Sequence, residues 1–252
     1  MNHSTFFEKH RPKMIVALLL TFASGLVDIV GFLGVFHFFT AHLTGTTVHL
    51  GNTAARGQWE DAIAAAVILA AFVLGSLLGR AIIQIGSRKR IRRIASLTLA
   101  IEGILLALVA EKPLLLPLPP YCSVAILGAS MGIQTATLTG IGPLTVHTTF
   151  ITGMVNKIAQ LASRILFRAY DFMRSRSATA EARRDQKDEL EMTAFLLGVW
   201  LVYIAGAAAG TWSFASLGLR ALFIAVALVA AGLIADQFWP LSVREEIEQS
   251  ED

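Results

Sequence analysis

Thr40-Ala41-His42-Leu43-Thr44-Gly45-Thr46-Thr47 follows one long apolar stretch, and Thr145-Val146-His147-Thr148-Thr149-Phe150-Ile151-Thr152-Gly153 follows another. Each segment is too polar for the core of a membrane helix and too apolar for an ordinary solvated loop. Interrupted segments at matching points of two repeats are the best sequence pointer to a transporter's binding site.

The surrounding sequence places both segments in a membrane. Of 252 residues, 55% are hydrophobic and only 15% charged, whereas a soluble domain carries about 25% charged residues. Crossing the roughly 30 Å hydrocarbon core takes about 20 apolar residues in a helix. Six stretches qualify: Met14–Phe39, Ala62–Ile85, Ile94–Ala110, Tyr121–Gly140, Met192–Trp212 and Leu219–Trp239. Ile94–Ala110 is the shortest and contains Glu102. The first stretch is too long for a signal-peptide core and no small-residue cleavage site follows it.

The net charge of +3 reports membrane orientation, not nucleic-acid binding. With the N-terminus in the cytoplasm, the inside segments hold 18 Lys and Arg residues. The outside segments hold 3, namely Arg56, Lys112 and Arg220. This positive-inside bias predicts a multi-pass protein of the plasma (inner) membrane with both termini cytoplasmic. A single cysteine, Cys122, excludes an internal disulfide framework.

The two halves resemble each other. Ala23-Ser24-Gly25-Leu26-Val27-Asp28 aligns with Ala129-Ser130-Met131-Gly132-Ile133-Gln134, which sets Asp28 against Gln134. Thr40, Thr44 and Gly45 align with Thr148, Thr152 and Gly153, and Gly75/Gly79 with Gly206/Gly210. The expected fold is all-α, a polytopic membrane protein of six transmembrane helices in one membrane domain. Repeat 1 covers about 14–110, repeat 2 about 121–239, and a charged cytoplasmic loop or surface helix about 169–191. Three spans per repeat is an odd number, so the second copy enters from the opposite side. The two Thr-Gly segments then meet only by folding back as re-entrant or broken segments lining a cavity.

The candidate site residues follow from buried polarity. Asp28 lies mid-helix in an uncharged stretch, where an ionised side chain costs ~2.5–3.5 kcal/mol on insertion scales. It reads as a proton or cation relay, or as a packing group neutralised within the bundle. His42 and His147 flank the Thr-Gly segments, and histidine as a residue type can take part in proton coupling. Thr44, Thr46, Thr148 and Thr152, with backbone freed at Gly45 and Gly153, offer uncharged ligands to a solute or ion. Gln134 would line the same midplane site as Asp28. Glu102 and His147 are further coupling or pairing candidates, while Asp236 reads as a cap at the end of the last helix. Gly75/Gly79 and Gly206/Gly210 are small-xxx-small pairs for close helix packing, between the repeats or in a homodimer. Gly128-Ala129-Ser130-Met131-Gly132 matches G-x-S-x-G but lacks the strand–turn–helix that a nucleophile elbow needs. No catalytic residue, metal set or cofactor motif is assembled, so the chain does not read as an enzyme.

Three segments carry a family resemblance. They are Gly25-Leu26-Val27-Asp28-Ile29-Val30-Gly31-Phe32 with the following Ala41–Gly51, then Met131-Gly132-Ile133-Gln134, and Thr148–Gly153. They resemble the YoaK family (domain of unknown function 1275), bacterial six-helix integral membrane proteins. The resemblance covers nearly the whole chain and implies the architecture rather than an activity. Thr46 and Thr135 stand where the family usually carries Asn, which replaces an amide by a hydroxyl at two candidate positions.

The expected function is secondary transport or conduction of a small polar solute or ion, proton- or cation-coupled through Asp28. The alternative is a non-transporting scaffold or signalling protein whose basic cytoplasmic loops bind anionic lipid or another protein. Its partners are the lipid bilayer and the solute, with no nucleic acid.

Overall fold

A computed structural model describes residues 6–111, 119–138, 140–141, 144–145, 151–175 and 180–241. Its α-helices in chain order are α1 (Phe6–Gly34), α2 (Leu43–Ala55), α3 (Trp59–Arg88), α4 (Ile94–Ala110), α5 (Pro120–Thr137), α6 (Ile151–Ser175), α7 (Ala180–Leu217) and α8 (Leu222–Phe238). A 3-10 turn at Gly218–Ala221 joins α7 to α8. A hairpin of two-residue strands, β1 (Gly140–Ile141) and β2 (Leu144–Thr145), lies between α5 and α6. The fold is therefore helical as expected, with this one small exception. Phe6–Gly34, Trp59–Arg88 and the stretch Gln186–Phe238, which includes the 3-10 turn, are long and apolar enough to cross a membrane. Ile94–Ala110 is apolar but shorter.

Each of the six apolar stretches is helical over most of its length, in α1, α3, α4, α5, α7 and α8, while residues 35–39, 138 and 140 fall beyond the helix ends. Two details depart from the sequence reading. The Thr44–Thr47 segment is not irregular; it forms the first turns of α2. The charged stretch 169–191 is helical where it is described, with α6 running to Ser175 and α7 starting at Ala180. Thr and Gly are weak helix formers in water. The helix satisfies their backbone groups internally.

The helices pack in pairs. α3 lies on α5, and α1 on α7; α4 packs on α8 and α5, and α1 on α8; α2 covers α3, and α6 covers α7. Most of these contacts pair up: α3–α5 with α1–α7, α4–α5 with α1–α8, and α2–α3 with α6–α7. The close pairs are set by small residues. A Cβ added at Gly132 would meet the Phe72 carbonyl and the Ser76 amide; one at Gly25 would meet the Tyr203 carbonyl and the Ala207 amide. Gly75 faces the Ala129 carbonyl as Gly206 faces that of Phe22, and Gly79 faces Ile133 as Gly210 faces Leu26. The two Gly-xxx-Gly pairs therefore join the halves of one chain. Gly128 and Gly132 serve the same packing, and Ser130 donates to the Leu127 carbonyl of its own helix at 2.9 Å.

These contacts also correct the alignment of the halves by one residue. Gly25 stands where Gly132 stands, so Asp28 corresponds to Thr135 and Gln134 to Val27. They fix directions as well. Contacts advance together along α1 and α7, and along α3 and α5, so each pair is parallel. Between α4 and α8 they run oppositely: Ser96 meets Asp236, Leu99 approaches Gly232 and Gly103 approaches Val229.

The core includes Leu20, Leu26, Leu99, Leu106, Leu127, Met131 and Leu222. A second cluster seats the hairpin: Leu138, Ile141 and Leu144 pack with Phe6, Met14 and Ala17 of α1 and Leu196 and Val199 of α7. Large apolar side chains also cover the outside, including Leu74, Leu77, Ile104, Leu201 and Ile234, each more than half exposed. Acidic residues cap helix starts across the bundle. Glu191 of α7 accepts from the Phe7 amide of α1 at 3.0 Å. Asp236 of α8, fully buried, accepts from the Ser96 amide at 3.0 Å and the Ser96 hydroxyl at 2.5 Å. Asp236 is thus a cap, placed at the orphan amides of the α4 N-terminus.

Candidate functional site

The chain leaves α1 at Gly34 and turns back. Phe38 is buried against Ile68 and Val124. Phe39 stacks on Phe32 with ring centroids 4.7 Å apart, and Phe36 meets Tyr121 at 5.0 Å. His37 adopts a positive φ of 58°, uncommon for a non-glycine residue, which lets the backbone reverse. The reversal ends at Asp28. Asp28 Oδ1 accepts from the Thr40 hydroxyl at 2.9 Å and from the Ala41 amide at 2.7 Å. Asp28 precedes Gly34 by six residues of helix, so the segment descends about 9 Å beside α1. From there α2 runs along α3.

The other carboxylate oxygen faces α7. Tyr203 donates to Asp28 Oδ2 at 2.5 Å, and the same phenol oxygen lies 3.1 Å from His42 Nε2. His42 Nε2 is 3.9 Å from Asp28 Oδ2. Asp28 is 2% exposed, while the His42 side chain is 39% exposed. A buried carboxylate is thus connected to an accessible imidazole through one hydroxyl. Three donors converge on Asp28, which offsets much of the cost of burying its charge. Because the phenol proton points at Asp28, the hydrogen-bond pattern assigns the Nε2–H tautomer to His42. His42 Nε2, the Tyr203 phenol and Asp28 Oδ2 thus form one continuous hydrogen-bonded chain.

The other sequence-derived residues are distributed differently. Gln134 is fully buried, donates to the Leu20 carbonyl at 2.7 Å and accepts from Ser24 at 3.2 Å. It binds α5 to α1 one turn inward of Asp28 and does not sit opposite it. Thr46 is buried and directs its hydroxyl to the carbonyls of Phe39 and His42, each at 3.2 Å. Thr44 and Gly45 are exposed on the first turn of α2. Thr152 and Gly153 begin α6, with Thr152 exposed. His147 and Thr148 lie outside the described residues. His49 packs edge-on against Phe38 at 4.7 Å. Among the described residues, no three His, Cys, Asp or Glu side chains converge on a metal position. Glu102 is fully buried in α4, and neither carboxyl oxygen has a hydrogen-bond partner.

Tyr203 and Thr40 complete the site. Thr40 belongs to the Thr-Gly segment, but nothing in its sequence context distinguishes it from its neighbouring threonines as the ligand of Asp28. Tyr203 carries a signal: it is a polar-tipped residue two turns after Leu196 in an uncharged stretch, and three residues before Gly206.

Comparison with known proteins agrees with this description. The UPF0700 transmembrane protein YoaK of Bacillus subtilis (strain 168) is 26% identical over 154 residues, covering 60% of this chain and 68% of that protein. No solved structure matches. The family profile described as "Protein of unknown function (DUF1275)" matches residues 16–235. The chain is therefore a membrane protein of the YoaK family, DUF1275, a family of unknown function.

Proposed function

We propose that this protein is a secondary transporter, or a channel-like protein, for a small polar solute or ion, with proton or cation coupling through Asp28. The observation that carries the reading is the Asp28–Tyr203–His42 chain, which joins a buried carboxylate to an accessible imidazole at the turning point of a folded-back segment. Intramembrane ionisable residues that face the bundle interior mark ion and proton pathways. Thr44 and Gly45 on the exposed start of α2 present a hydroxyl and open backbone beside this relay.

The accompanying architecture is six spans in two inverted repeats, α1–α4 and α5–α8, in the inner membrane with both termini cytoplasmic. Three features support it. Helix contacts of one half recur in the other, their glycines occupy equivalent positions, and matching helices α1 and α5 run in opposite directions, Ser24 meeting Gln134 and Gly31 approaching Leu127. Exposed aromatic residues also sit near helix ends on both proposed sides: Trp59 and Trp212 outside, Phe238 and Trp239 inside. This is the placement expected of interfacial anchors.

Asp28→Asn protein in liposomes is expected to remain folded and to lose coupled flux of the transported species by at least tenfold. Flux equal to wild type would remove Asp28 from the mechanism. Topology is checked separately in a Cys122→Ala background. A membrane-impermeant maleimide is expected to label Asn52→Cys only from outside and Lys89→Cys only from inside. Labelling of both from one side would exclude the proposed orientation.

A further inference from the structure

We propose that Glu102 is an intramembrane proton-binding site, a second one in series with Asp28. It stands at the middle of α4, eight residues from each end, hence about 12 Å from either terminus. It is 0% exposed, and both its oxygens lack a hydrogen-bond partner. An isolated ionised carboxylate in such surroundings is very costly, and a bound proton removes that charge.

Among the described residues, no cation is paired with Glu102 to take the proton's place. The elements packed on α4 are α3, α5, α8 and the 3-10 turn. From α8, Asp236 is committed to the α4 N-terminus, two turns away. Arg220 of the 3-10 turn and Arg80 of α3 are both exposed. From α5 come neutral groups. Thr137 donates to the Thr98 hydroxyl at 2.9 Å. α4 is antiparallel to α5, because it turns back from α3, which α5 parallels. One turn from Thr98 to Glu102 therefore matches one turn from Thr137 to Gln134. Gln134 bonds Ser24, which lies one turn from Asp28. Polar side chains thus step from the Asp28 relay to the level of Glu102 through an otherwise apolar core, and continue through Thr98 to Thr137.

The test uses dicyclohexylcarbodiimide, a hydrophobic reagent that reads a protonated carboxyl directly. The carboxyl proton moves to a carbodiimide nitrogen while the carboxylate oxygen bonds the central carbon. In a site without water the adduct rearranges to a stable N-acylurea, with nothing lost. Full-length protein in membranes is expected to carry this adduct on Glu102, as read by peptide mass spectrometry. The adduct is expected to vanish in Glu102→Gln, to persist in Asp28→Asn, and to be at least tenfold weaker with a water-soluble carbodiimide. No adduct at Glu102 in folded protein would overturn the proposal, as would equal labelling by both reagents. The proposal deepens the transport reading but does not share its test. Labelling at Glu102 together with unchanged Asp28→Asn flux would sink only the Asp28 role.

Discussion

Leucine in place of Gly132 or Gly206 is expected to destroy most of the folded protein. At these positions a Cβ meets backbone, the Phe72 carbonyl for Gly132 and the Phe22 carbonyl for Gly206. A side chain can rotate away, but a carbonyl held in a helix cannot, so the helices must separate. Overpacking alone typically costs ~1–3 kcal/mol. Separation also removes the van der Waals contact that drives helix association in lipid, where no hydrophobic force compensates. Loss of monodisperse protein in size-exclusion chromatography and a lowered melting temperature would report the effect. Gly51 and Gly198, where a Cβ meets nothing within 4 Å, are expected to accept alanine with little change. A wild-type melting curve for Gly132→Leu would show that α3 and α5 do not touch as described.

Asp28→Ala is expected to be far more damaging to stability than Asp28→Asn. Alanine leaves the Thr40 hydroxyl and the Ala41 amide buried without an acceptor, while Tyr203 can turn its proton to His42. Two orphaned donors cost about 2–6 kcal/mol together. The consequence is local: the segment between Gly34 and Leu43 loses its anchor in the bundle. Asparagine keeps one carbonyl oxygen for Thr40 and Ala41 and offers its amide to the Tyr203 oxygen, so it holds the segment but cannot carry a proton. A single cysteine at Phe36, in a Cys122→Ala background, is expected to react with maleimide several times faster in Asp28→Ala than in Asp28→Asn. Equal rates would mean that Asp28 does not anchor the folded-back segment. The alanine variant therefore tests structure and the asparagine variant tests chemistry.

Much of the fold was legible because lipid imposes simple rules. An apolar run in lipid must be helical to satisfy its backbone, and each of the six runs is helical over most of its length. The glycine pairs were legible as packing sites, since close approach in lipid requires small residues. The charge at Asp236 was legible as a cap from its place at a helix end. The site was less so. Gln134 aligned with Asp28 as its counterpart because both are polar residues in similar strings of letters. In three dimensions Gly25 and Gly132 are equivalent, and Gln134 faces α1 one turn below.

The sequence by itself determined that this is a helical membrane protein of the YoaK family, and it marked small residues at which the helices pack closely. It also marked Asp28 and Glu102 as charges where charge is expensive. Only the tertiary structure decided how each is accommodated. Asp28 receives donors from a segment 12 residues on and from Tyr203, 175 residues away, whereas Glu102 receives none. The difference lies in which helix faces meet and how a chain reversal is aimed, and these are set by packing across the whole bundle rather than by neighbouring residues.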